Sequence, residues 1–138
     1  MAAEQLLRFC GVVAHGQQRG RQLGFPTANL EVEGSLAIEL PRGVLVGRLR
    51  WEGEEWRWAV VNIGHRPTFD AGALSIEAHI LDYAGDLYGK LVEVELRWHL
   101  RGELRFAGAE ELVAQIASDV ENARNYINRI AINNTMEV

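Results

Sequence analysis

Lysine is nearly missing from this chain: Lys90 stands alone against thirteen arginines. Most lysine-dependent chemistry is thereby excluded, Schiff bases and a P-loop lysine included, since Lys90 reads as a solvated residue at a strand start. The pattern Gly-x₄-Gly-Lys-Ser/Thr is also absent. Any phosphate must then be met by arginine, backbone amides or a metal. Cysteine is equally scarce. Cys10 is alone, so no internal disulfide can form, which fits a reducing cytosol; its apolar surroundings predict a place in the core. No apolar run approaches the roughly 20 residues of a membrane span, and the Met-Ala-Ala-Glu-Gln start lacks a signal peptide's basic region. These absences predict a cytoplasmic protein without a membrane partner. A net charge of -5 argues against a nucleic-acid partner, which would need a basic face. His15, His65 and His99 show no zinc-ligand spacing, and no Ser-His-Asp arrangement supports a hydrolase.

What is present is a 138-residue chain, 48% hydrophobic, with enough apolar content for one domain. No internal repeat or linker divides it, so residues 1–138 read as one unit with its core at about 9–130, and as a monomer. Alternating, β-rich runs predict strands near 8–14, 26–31, 43–51, 55–63, 73–82 and 91–99. Trp51–Trp56 reads as a hairpin turn, and the four tryptophans as core residues. From Ala109 the apolar period lengthens. Leu112, Ile116, Val120, Ala123, Ile127 and Ile130 mark one amphipathic helix, with Asn133–Val138 expected to fray. The strand pattern is that of an antiparallel barrel or sandwich, and strands first with a helix last suggest a mainly β fold, a small barrel with the helix packed across it.

Gly16–Asn29 is the densest chemical signal. Gly16, Gly20 and Gly24 let the backbone turn tightly and bring N–H groups toward an anion, and Arg19 and Arg21 add donor forks. After Pro26, Thr27 and Asn29 sit two apart, so an extended chain puts both oxygens on one side. Two neutral oxygen ligands beside a phosphate cradle suit Mg²⁺, which keeps its waters and completes its shell with substrate phosphates. The stretch therefore reads as a metal–nucleotide site. In Ser75–Leu81, Glu77 and His79 share one strand face and Ile76 and Ile80 the other. Such a carboxylate faces either plain solvent or a site.

The run Gly-x₃-Gly-Arg-x-Leu-Gly-Phe-Pro-Thr-Ala-Asn-Leu resembles the signature of riboflavin kinases, including the kinase module of bacterial bifunctional FAD synthetases. Further matches follow in order: Asn62–Phe69, Ile76–Ile80, Asp86–Gly89, Leu100-Arg101 with Phe106, and a helix carrying Gln115-Ile116 and Asp119. The similarity covers about residues 9 to 125. It implies a six-stranded antiparallel Greek-key barrel with a C-terminal helix, and transfer of the γ-phosphoryl of ATP to riboflavin, giving FMN and ADP. It implies Gly16, Arg21, Gly24, Thr27, Asn29, Leu87 and Tyr88 at the nucleotide, and Arg101 and Phe106 at the flavin. Thr27 and Asn29 would hold Mg²⁺, and Glu77 would be the catalytic base. Two departures stand out: Leu45 replaces a usual tyrosine, and Gly102 replaces a usual proline or aspartate. An excised kinase domain and a non-catalytic flavin- or nucleotide-binding module remain alternatives.

Overall fold

The computed structural model describes residues 4–15, 24–33, 39–65 and 74–136. Among these, six strands close into a barrel: β1 (Glu4–Ala14), β2 (Ala28–Glu31), β3 (Gly43–Trp51), β4 (Arg57–His65), β5 (Leu74–Ile80) and β6 (Leu91–Arg101). Among the described residues one helix, α1 (Ala109–Met136), follows. Strand order around the barrel is β1-β2-β5-β4-β3-β6, with every neighbouring pair antiparallel. Strands β3, β4 and β5 form a meander and β2 returns beside β5, which is a Greek key. Closure leaves no free sheet edge.

Period-two alternation fills the interior. Along β5, Ile76, Ala78 and Ile80 are buried while Ser75, Glu77 and His79 lie on the outer face. Phe9, Val13, Leu30, Leu45, Leu49, Val61, Ile63, Val94 and Leu96 join them in one cluster. Strand limits shift from the sequence expectation for local reasons. β2 starts at Ala28 because Pro26 has no N–H to give the ladder. β6 runs on to Arg101, which still pairs with Val44. Between β3 and β4, Gly53 takes φ +81° and the Glu54 N–H donates to the Trp51 carbonyl at 3.0 Å. That turn delays β4 to Arg57.

A second apolar layer lies outside the barrel. Val44, Val46, Trp58, Val60, Trp98 and Leu100 meet Val120, Ala123, Tyr126, Ile127 and Ile130 of α1, with Trp98 and Tyr126 stacked at 5.1 Å. Two ion pairs fasten the helix. Arg101 holds Asp119, and Arg124 holds Asp82 in the turn after β5, lowering the Asp82 pKa by hydrogen bonding and charge. The backbone stays helical to Met136, past the point where fraying was expected. Among the described residues no helix is long and apolar enough to cross a membrane.

Two core assignments need correction. Cys10 is exposed, because the alternation that sends Phe9 and Val13 inward turns Cys10 outward, opposite Glu93. Trp56 is half-buried, capped by the Arg48 and Arg50 guanidinium groups at 4.7 and 4.4 Å from its ring, a cation–π arrangement rather than core packing. The same outer face carries Glu95, 1% exposed. Arg8, Arg48 and Arg97 reach it at 2.8, 2.9 and 3.1 Å. Burial opposes its charge, but the three arginines outweigh it and hold its pKa below the usual glutamate range.

Candidate functional site

Antiparallel register lines up a transverse row on the outer face of the barrel. Asn29 of β2 lies opposite Glu77 of β5, and Glu77 opposite Asn62 of β4. Asn62 lies opposite Val44 of β3, and Val44 opposite Arg101 of β6. The inward neighbours Leu30, Ile76, Ala78, Val61, Ile63 and Leu45 are buried in the barrel, so the row faces out. Strands sit about 4.8 Å apart, which sets Glu77 about 5 Å from Asn29 and about 14 Å from Arg101 along the sheet. Residues distant in sequence thus become lateral neighbours.

The approach to Asn29 is held firmly. Gly24 adopts φ +91°, a left-handed conformation suited to glycine. His79, two residues along from Glu77 on the same face, places Nδ1 at 2.8 Å from the Pro26 carbonyl. A carbonyl only accepts, so Nδ1 carries the hydrogen. Phe25 packs edge-on against the same imidazole at 5.6 Å. His79 therefore anchors the segment entering Thr27. Thr27 Oγ1 is buried without a hydrogen-bond partner, and Asn29 is 9% exposed. A buried hydroxyl oxygen left unsatisfied is costly, and a cation would satisfy it. The Thr27 and Asn29 side-chain oxygens are hard, neutral donors of the kind Mg²⁺ accepts. Gly16 and Arg21 lie outside the described residues.

The Asp86–Gly89 loop is zipped onto the end of β1. Gly89 N–H donates to the Val13 carbonyl at 2.8 Å, and Val13 N–H to the Lys90 carbonyl at 2.9 Å. Asp86 Oδ1 accepts from the Tyr88 N–H at 2.9 Å. Leu87 is buried in the barrel core, and its carbonyl accepts from the Lys90 N–H at 3.0 Å. Tyr88 is exposed and stacks on His15 with ring centroids 3.7 Å apart, just before the glycine-rich segment.

Arg101 occupies the other end of the row. Its Nε and Nη2 donate to the two carboxylate oxygens of Asp119, each at 2.8 Å. Nη1 donates to the Gly102 carbonyl at 2.9 Å, and Gln115 Nε2 adds a bond to Asp119 Oδ1 at 3.0 Å. Three of its five N–H groups are thus used among the described residues. The Phe106 ring lies 6.0 Å away. The Gln115–Asp119 spacing of four residues signals a shared helix face, but nothing local names Arg101 as the partner. A groove of about 630 Å³ lined by Cys10, Arg50, Trp51, Lys90 and Glu93 is separate from this row, and none of the candidate site residues lines it.

A family model described as riboflavin kinase, or flavokinase, matches residues 3–127. The chain belongs to the riboflavin kinase family. A bifunctional riboflavin kinase/FMN adenylyltransferase from Escherichia coli is 42% identical over 116 residues, covering 84% of this chain and 36% of that protein. A riboflavin kinase structure from Trypanosoma brucei is similar with a TM-score of 0.67 at 26% identity, covering 90% of this chain and 81% of that one. A structure from Streptococcus pneumoniae described as a macrolide-efflux protein matches with a TM-score of 0.74 at 32% identity, over 87% of this chain and 39% of that one. The chain spans about two fifths of the length of the curated relatives it matches. The riboflavin kinase fold here is the closed six-stranded barrel with its C-terminal helix.

Proposed function

We propose that this riboflavin kinase family member transfers the γ-phosphoryl group of ATP to the ribityl 5′-hydroxyl of riboflavin, giving FMN and ADP. The observation that carries the reading is the lateral pairing of Asn29 with Glu77. It brings a carboxylate within one strand spacing of the metal–phosphate end, as an in-line attack requires. Glu77 accepts the hydroxyl proton while the oxygen attacks. Backbone amides of the Gly16–Gly24 segment, with Arg21, hold the phosphates and stabilise transition-state charge. Thr27 and Asn29 would hold Mg²⁺, which would supply charge neutralisation at the phosphates. Leu87 and Tyr88 lie at the adenine, and Arg101 and Phe106 at the isoalloxazine ring, where donors and an apolar wall suit a flavin.

In this reading the chain is one kinase unit that works as a cytoplasmic monomer, with no nucleic-acid or membrane partner. It stops at FMN, because the sequence has one phosphate-loop signature. The test is chromatography of riboflavin incubated with the protein and excess Mg–ATP. FMN and ADP are expected in equal amounts. FAD rising with enzyme concentration would overturn the single activity, and no FMN would favour the non-catalytic binding module.

A further inference from the structure

We infer that Asn62 is a substrate contact that reads the secondary hydroxyls of the flavin's polyol chain, an inference that rests on the riboflavin kinase reading above. Asn62 pairs directly with Glu77 on the side away from Asn29. It therefore lies beside the base, on the side toward Arg101.

The position is unusual for its strand. β4 reads Arg57–His65 with Val61 and Ile63 buried on either side, yet Asn62 is exposed. Asparagine is depleted in strands, and this strand is flanked by two others rather than at an edge. Its neighbours on this face are covered, whereas Asn62 itself stays accessible. Val60, two residues back on the same face, is covered by α1. Two residues ahead is Gly64, where an added Cβ would collide with the Glu103 carboxylate. Val44, the next residue in the row, is also under the helix. Asn62 is thus the one polar side chain on the row between Glu77 and Arg101.

Its chemistry complements both neighbours. Ionised Glu77 only accepts hydrogen bonds and Arg101 only donates, whereas a carboxamide does both. A polyol hydroxyl likewise donates and accepts. One amide can therefore satisfy a hydroxyl beside the reacting one and hold the chain in line with Glu77, which positions the reacting oxygen.

The test compares riboflavin with a flavin bearing a 5-hydroxypentyl chain, which keeps the terminal hydroxyl and lacks the three secondary ones. A polar site rejects an analogue that leaves its groups unpaired. Asn62→Ala should lower kcat/KM for riboflavin about 10-fold, the worth of one or two neutral hydrogen bonds. It should lower the preference for riboflavin over the analogue by the same factor, leave the KM for ATP unchanged, and melt as the wild type does. Asn62→Asp, which keeps an acceptor and loses the donor, should fall between. Wild-type discrimination in Asn62→Ala beside a crippled Glu77→Gln would overturn this inference alone. A wild type that forms no FMN would overturn the kinase reading and the inference with it.

Discussion

Replacing Asp119 by alanine strands the guanidinium of Arg101. The Asp119 side chain is 5% exposed and that of Arg101 19%. The carboxylate accepts three hydrogen bonds at 2.8, 2.8 and 3.0 Å. Alanine removes all three and, among the described residues, leaves Arg101 with the Gly102 carbonyl as its remaining hydrogen-bond partner. Removing one member of a buried pair costs about 3–5 kcal/mol. Water reaching the exposed fifth of Arg101 puts the expected loss near the lower limit, about 3 kcal/mol. Unfolding entropy of about 2.1 cal/mol/K per residue amounts to about 0.3 kcal/mol/K for 138 residues, so Tm should fall by about 10 °C. Asp119→Asn keeps one acceptor and should lose about half as much. The double change Arg101→Leu with Asp119→Leu removes the stranded charge, so it should recover most of the loss. Thermal and urea unfolding followed by tryptophan fluorescence measures this, with Trp98 stacked on Tyr126 of the same helix. A Tm change in Asp119→Ala below about 3 °C, or a double variant less stable than the single one, would refute the reasoning. Because the latch sets where Arg101 points, Asp119→Asn should also raise the KM for riboflavin more than that for ATP.

Glu77→Gln keeps shape and loses the base, so kcat should drop by about 10²–10⁴-fold with riboflavin still bound; single-turnover FMN formation and flavin fluorescence titration check both halves. Thr27→Ala and Asn29→Ala should weaken Mg–ATP binding while the barrel persists, because neither side chain belongs to the apolar core; calorimetric titration showing unchanged affinity in both would remove the metal assignment. Glu95 has a folded pKa below its unfolded value, so its stabilisation is complete above about pH 4.3 and is lost as pH falls toward the folded pKa. Glu95→Gln should flatten that acid-side decline in urea unfolding between about pH 3 and 6; an unchanged slope would mean the three arginines are indifferent to its charge.

Local pattern alone determined that this chain makes strands and then a helix. Alternation in β3 and β5 and the three-and-four spacing from Leu112 to Ile130 reflect which side of each element meets the core. Candidates for a site could also be named, since Gly24, Pro26 and the Thr27–Asn29 pair combine turn-forming residues and oxygen donors within a few positions. Tertiary structure decided what those residues face. Asn29, Glu77, Asn62 and Arg101 become one row through hydrogen-bond register between strands far apart in sequence. A one-residue slip would turn each of them inward. Arg101 was readable as a donor, but its bond to Asp119 exists because α1 docks against β6. Cys10 has apolar neighbours in sequence and still points outward, because side-chain direction follows strand parity rather than the company a residue keeps.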